Sequence, residues 1–306
     1  HQKVVRGSAS VSATNKYRRT NGNVRAYYSY GNHFIEDPAP FHSTDDRLGI
    51  ILQQNFTLWE NGSATAGFDF DSYSGEIPLS GGKDFSQAPL ATLKRKHITE
   101  YSPYITLSHS FMQKRLSANA GLRMAGSSLF GTHWIPQAGI TASPADGWNI
   151  RGAVARGFRN PSFKELYLYK MANSELEPEL MTNYEVGVGK IFGPLLSVDL
   201  TGYISHGSNL IAVLDGKNQN MGEFTNKGVE LTIKSKPLKW MGVQANYSFM
   251  HTDVDNLTGA PRHQYYLALD LMPHPKWELH PQLKGANRLF VSQDTDLQHF
   301  VLLGIK

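Results

Sequence analysis

The sequence predicts an all-β chain, the wall of a transmembrane antiparallel up-and-down β-barrel. Three observations predict it: apolar and polar residues alternate with period two along many segments, no segment carries a long helical period, and short connections alternate with long ones. Leu116, Ala118, Ala120, Leu122 and Met124 share one face, while Ser117, Asn119, Gly121 and Arg123 share the other. Leu196, Val198, Leu200, Gly202 and Ile204 oppose Ser197, Asp199, Thr201, Tyr203 and Ser205. Val229, Leu231 and Ile233 repeat the pattern, as do Val243, Ala245, Tyr247 and Phe249. Many strands reach about ten residues, the length a tilted strand needs to cross hydrocarbon. About fifteen strands are expected, beginning near Lys3 and ending near Lys306.

The connections sort into two kinds. Short ones lie near 59–63, 113–115, 144–148, 192–194, 236–241 and 273–276. Between them fall longer ones, at about 36–46, 77–96, 160–181, 206–222 and 253–263, with a short one near 290–296. Two segments depart from the pattern: 126–132 is short on the long side, and 14–22 is long on the short side. Short turns at one end and long loops at the other are the signature of an outer-membrane barrel. Trp59, Trp134, Trp148, Trp240 and Trp277 sit at or near strand ends, where interfacial aromatics belong.

Composition bounds the rest. The 306 residues include no cysteine, which excludes a disulfide framework and thiolate chemistry. A net charge of +4 with scattered Lys and Arg does not imply nucleic acid. No run approaches 18 apolar residues and the mean hydropathy is −0.37, so no transmembrane helix is expected. A barrel strand would not raise that value, because only alternate residues face lipid. The opening His1-Gln2-Lys3-Val4 has no signal-peptide pattern.

The stretch from Arg156 to Gly189 is the most informative. Two strands flank a polar, Glu-rich loop of about twenty residues, a length that calls for a function or for disorder. Phe158, Phe163, Leu166, Tyr167, Leu168 and Tyr169 supply packing groups and argue against disorder. The stretch resembles the TonB-dependent outer-membrane receptors. The resemblance rests on Gly157-Phe158-Arg159-Asn160-Pro161-Ser162, Glu165-Leu166-Tyr167, Asn173 to Leu176 with Pro178-Glu179, and Asn183-Tyr184-Glu185-Val186-Gly187. Gly222 to Glu230 is similar to that family's next strand opening.

The resemblance implies a 22-strand barrel with an N-terminal plug. Residues 1–306 are then expected to be the barrel segment, lacking the plug and some terminal strands. Leu302-Leu303-Gly304-Ile305-Lys306 also lacks the terminal aromatic usual in outer-membrane proteins. The implied function is active import of a large scarce solute, cobalamin or a ferric siderophore, by an integral outer-membrane protein in contact with lipid. The implied partner is the TonB-ExbB-ExbD energy-coupling complex, acting through the missing N-terminal region. The alternative is a passive porin or fatty-acid channel of 14–16 strands.

Within the 160–181 loop two readings compete: a lip that closes on ligand, and a scaffold in which Arg159, Glu165 and Glu179 bond to one another. Groups that recur across many substrates suit the scaffold, so Phe158, Arg159, Pro161, Glu165, Tyr167, Pro178, Glu179, Asn183, Tyr184 and Glu185 are expected to be structural. Substrate contacts are expected at Tyr169, Lys170, Met171, His206, Asn209 and the 77–96 loop. No metal site or cofactor is expected. The twelve histidines show no H-x-x-x-H or H-x-E spacing. Haem receptors of the family carry a His between two of these motifs, and here none lies there. No G-x-S-x-G supports an enzyme, and Gly81-Gly82-Lys83-Asp84 lacks phosphate-loop spacing. Asp45 and Asp46 are expected at a solvated loop tip, and Asp69 and Asp71 as polar lumen lining.

Overall fold

The computed structural model describes residues 2–36, 40–80, 92–168, 170–255, 257, 259–292 and 295–305. The first strands are β1 (Gln2–Lys16), β2 (Thr20–Ile35), β3 (Phe41–Trp59), β4 (Gly62–Ser80) and β5 (Leu93–Phe111). Next come β6 (Leu116–Ser127), β7 (Gly131–Ala142), β8 (Trp148–Arg159), β9 (Glu179–Phe192) and β10 (Leu196–Ser208). A short hairpin of β11 (Ile211–Leu214) and β12 (Lys217–Asn220) follows. The last strands are β13 (Glu223–Leu238), β14 (Met241–Thr252), β15 (His263–His274), β16 (Trp277–Leu279), β17 (Gln282–Ser292) and β18 (Thr295–Gly304). One five-residue helix, α1 (Phe163–Tyr167), lies between β8 and β9.

Fifteen strands form one antiparallel path in chain order, with β16 added beside β15 and the β11–β12 hairpin standing apart. Among the described residues β1 and β18 do not pair, so the sheet is open. The connections at one end are short, such as 60–61, 193–195 and 239–240, while 160–178 and 209–222 lie at the other. The connection between β1 and β2, expected to be long, is only 17–19, because Lys16 still pairs with Asn21.

Asp45 and Asp46 correct the expectation of a loop tip: both lie inside β3. Strands β3, β4 and β5 each run 19 residues. At about 3.3 Å per residue that is roughly 60 Å, twice the thickness of a hydrocarbon core of about 30 Å. Their upper ends therefore stand clear of the membrane, where charged pairs are solvated. Asp46 there accepts from Arg95 and Ser74, and Asp45 meets Arg6 at 3.3 Å.

Register sorts the side chains onto two faces. One is polar. Arg123 meets Asp69 at 2.6 Å, Arg47 and Tyr27 both donate to Asp71, and Arg151 donates to Asp199 at 2.8 Å. The other face is apolar yet uncovered: Val186 is 67% exposed and Ile140 50%. An apolar face without a cover fits a lipid-facing wall, and the polar face then lines the lumen. Many glycines on the wall sit under a ring from the strand opposite, as Gly67 does under Tyr104 and Gly228 under Tyr203. The buried apolar cluster joins a loop to the wall rather than filling a centre: Ile98 of β5 packs on Leu166 and Leu176.

Candidate functional site

The long loop between β8 and β9 turns inward at Asn160-Pro161. Pro161 is fully buried, and Ser162 starts α1 with a capping box. The Ser162 N–H donates to Glu165 Oε2 at 2.7 Å, and the Glu165 N–H donates back to Ser162 Oγ at 3.2 Å. These bonds satisfy two of the helix's orphan donors and fix its direction. Leu166, Phe163 and Tyr167 then reach the polar-face wall. Leu166 seals against Ile98, Phe163 lies over Gly75, and Lys96 stands 5.6 Å above the Tyr167 ring. The loop is thus seated over the mouth of the lumen.

Arg159 holds the loop's two ends together. Its Nε and Nη2 donate to the two oxygens of Glu179, both at 2.7 Å, and Nη1 donates to Glu165 at 2.9 Å. A guanidinium fork suits such bidentate pairing. Burial alone would raise the Glu165 carboxyl, but the bonds from Arg159 and Ser162 outweigh it and hold it below the usual carboxylate range. Asn160 Nδ2 donates to Glu100 at 2.6 Å, and Tyr73 donates to the same oxygen at 3.3 Å.

The β11–β12 hairpin locks onto this loop. The Ile211 N–H donates to Glu179 Oε1 at 2.8 Å. Asn218 donates through its N–H to the Met171 carbonyl and through Nδ2 to the Glu165 carbonyl, while Asn173 Nδ2 donates to the Asn218 carbonyl. Asn220 and Glu177 exchange two bonds, and Asn209 Nδ2 reaches Glu177 at 3.0 Å. The two loops form one hydrogen-bonded unit.

The sequence-predicted residues fall into three groups. Phe158, Arg159, Pro161, Glu165, Tyr167, Pro178 and Glu179 gather in or beside this unit; Pro178 is buried and Phe158 stacks on His133. Asn183 and Glu185 lie lower on the lumen wall, bonded to Ser205 and near Arg151. Tyr184 points the other way, half exposed on the apolar face. Of the expected substrate contacts, Lys170 and Met171 are exposed at the loop tip, and Tyr169 lies outside the described residues. Asn209 is engaged in the interlock. His206 lies within β10 on the outer face, beside Tyr184 and bonded to Thr225, because β10 continues to Ser208. That orientation takes it away from the lumen. Most of the 77–96 loop lies outside the described residues.

Sequence reasoning missed Asn218 and Asn220. The signal was present, since Asp215-Gly216 between short apolar and polar runs is a hairpin turn, and both residues take positive φ. The wall partners Tyr73, Lys96, Ile98 and Glu100 carried no local signal. Among the described residues no three His, Asp or Glu side chains converge as a metal-ligand set.

Comparison with known proteins completes the picture. Residues 4–299 match the family model described as TonB dependent receptor-like, beta-barrel. A vitamin B12 transporter, BtuB of Vibrio vulnificus, is 28% identical over 135 residues, covering 42% of this chain and 21% of that protein. The ferric enterobactin receptor PfeA of Pseudomonas aeruginosa superposes with a TM-score of 0.81 at 14% identity, over 99% of this chain and 54% of that one. The siderophore receptor PirA of Acinetobacter baumannii does so at 0.79 and 13%, over 99% and 56%. This chain thus spans little more than half the length of the receptors it superposes on. With a lumen-facing polar wall, a lipid-facing apolar wall and a family match over nearly its whole length, the chain belongs to the TonB-dependent receptor β-barrel family of outer-membrane proteins.

Proposed function

We propose that residues 1–306 are the barrel segment of a longer receptor that imports a large scarce solute across the outer membrane. The solute class we favour is cobalamin or a ferric siderophore, the classes named for BtuB, PfeA and PirA. The single observation that carries this reading is the interlocked unit over the lumen mouth. The Arg159 fork and the asparagine bonds hold the β8–β9 loop and the β11–β12 hairpin there as one packed body. A mouth held partly closed suits capture of a bulky solute followed by an energised step. That step is assigned to a plug domain and to the TonB-ExbB-ExbD complex, neither of which is part of this sheet. Tyr169, Lys170 and Met171 at the loop tip are the proposed solute contacts, and no catalytic role is proposed.

Whole cells carrying the full-length receptor test this. Uptake of labelled cobalamin and of labelled ferric siderophores is measured with TonB present and deleted. Saturable uptake of one solute that disappears without TonB is expected. Uptake indifferent to TonB would sink the reading in favour of passive conductance.

A further inference from the structure

The apolar outer face is not uniform. A groove of about 1010 Å³ crosses it from β6 to β14. One register row crosses it, in which projecting side chains alternate with glycines: Ile140 pairs with Gly152, Gly152 with Val186, Val186 with Gly202, and Gly202 with Val229. Gly152 and Gly202 differ from the ring-covered glycines of this wall. A Cβ at Gly152 would meet nothing nearer than 3.7 Å, and one at Gly202 nothing nearer than 4.0 Å. Packing within the sheet therefore does not demand glycine at either place. What the missing side chains provide is depth on the lipid side.

The groove's upper end, on the side of the long loops, is cationic. Lys227 lines it directly. One row higher, Arg156, Thr182, His206 and Thr225 stand side by side on the same face, with Arg156 paired to Thr182, Thr182 to His206 and His206 to Thr225. Among the described residues neither Arg156 nor Lys227 makes an ion pair. The nearby carboxylates are Asp253, which accepts the Thr225 N–H at 2.7 Å, Glu223, which lines the same hollow as Arg156, and Glu185, which lines the groove while its carboxylate faces Arg151 on the lumen side. Arg156 on β8 and Lys227 on β13 are three strand spacings apart, about 14 Å at roughly 4.8 Å each. Two separated cations above an apolar channel call for an anion carried at two points with hydrocarbon beneath.

We propose that this surface binds one phosphorylated, multiply acylated disaccharide glycolipid of the outer leaflet, a lipid A-type molecule. An acyl chain lies in the groove over Gly152 and Gly202, and two phosphates meet Arg156 with His206 and Lys227. The proposal rests on the outer-membrane placement of the family and not on active import. A single-phosphate glycerophospholipid such as phosphatidylglycerol cannot meet both cations at once.

The test is native mass spectrometry of the full-length receptor in detergent, with added diphosphoryl lipid A, monophosphoryl lipid A or phosphatidylglycerol. Retention of one diphosphoryl lipid A is expected, about tenfold better than phosphatidylglycerol, with the monophosphoryl form between. The double variant Arg156→Gln with Lys227→Gln should lose about tenfold in retention, and Gly202→Leu should lose it with the charges intact. Heat-modifiable gel mobility identifies variants that still fold. Equal retention of phosphatidylglycerol, or unchanged retention by the folded double variant, overturns the proposal and leaves ordinary annular lipid. Unchanged retention by folded Gly202→Leu overturns the groove's part in it. None of these readouts depends on transport, so failure here and failure of TonB-dependent uptake are separate results.

Discussion

Arg159 is the residue on which the lumen mouth depends. Its guanidinium satisfies Glu179 with two bonds and Glu165 with another, and Glu179 in turn holds the β11 backbone. Arg159→Gln cannot reproduce the fork and leaves two carboxylates facing each other. Because the groups are partly solvated, the loss is on the order of 1 kcal/mol, not the several expected of a buried pair. Amide hydrogen exchange across 163–177 and 211–220 should accelerate together, by about fivefold. Acceleration confined to 163–177 would mean that the hairpin does not depend on this bridge. The pH dependence follows from Glu165, whose carboxyl is held below its ordinary value despite burial, by Arg159 and Ser162. A lowered folded-state value contributes stability that is fully present above the unfolded carboxylate range, about pH 4.3, and is lost as pH falls through the lower folded value. Loop protection should therefore be flat from pH 7 to about 5 and fall only below about 4. In Arg159→Gln, with less to hold the Glu165 carboxyl down, the acid-dependent part of the protection should shrink. A protected loop that loosens between pH 7 and 5 would place the titrating group elsewhere.

At the scale of the element, each wall strand is specified by its period-two pattern and by what crosses to its neighbour. Gly228 lies under the Tyr203 ring, and a Cβ there would sit 2.4 Å from the Phe249 carbonyl oxygen and 2.6 Å from the Tyr203 hydroxyl. Gly228→Ala should destabilise the wall by about 1–3 kcal/mol, the usual cost of overpacking, read as a lower urea midpoint by tryptophan fluorescence. Gly152→Ala, whose Cβ would meet nothing nearer than 3.7 Å, should stay within about 0.5 kcal/mol of the parent. Similar midpoints for the two would mean that ring-over-glycine pairing does not order these strands. The same distinction explains what could be read in advance. Strand existence, order and the two kinds of turn were legible because alternation is local, as in Leu116–Met124 and Leu196–Ile204. The upper ends were not, since Asp45, Asp46 and His206 look like loop residues until neighbours extend the ladder past them. Within the mouth the Arg159 partners were legible from the composition of their segment. Ile98, Glu100 and Asn218 were not, because each joins the unit through a contact of more than forty residues' separation.

The whole molecule poses a problem that no single strand shows. Fifteen strands follow one another in chain order, and among the described residues β1 and β18 each have one hydrogen-bonded neighbour. The side chains of β1 are exposed along nearly its whole length. In hydrocarbon, each unpaired N–H or C=O at such an edge costs several kcal/mol, which is why membrane sheets close. Two open edges of ten or more residues outweigh the stability of a typical domain, about 5–15 kcal/mol. The sheet of residues 1–306 should therefore not persist by itself in a membrane-like solvent; its edges need further strands to pair with. Refolded alone into detergent micelles, this polypeptide should be protease-sensitive and show no heat-modifiable gel mobility, while the full-length receptor shows both resistance and the shift. If the isolated chain instead became protease-resistant, heat-modifiable and conductive in planar bilayers, β1 and β18 would have to pair with each other. The lumen would then be a self-contained pore, and the loop seated on Ile98 would be its constriction rather than the entrance to an energised receptor.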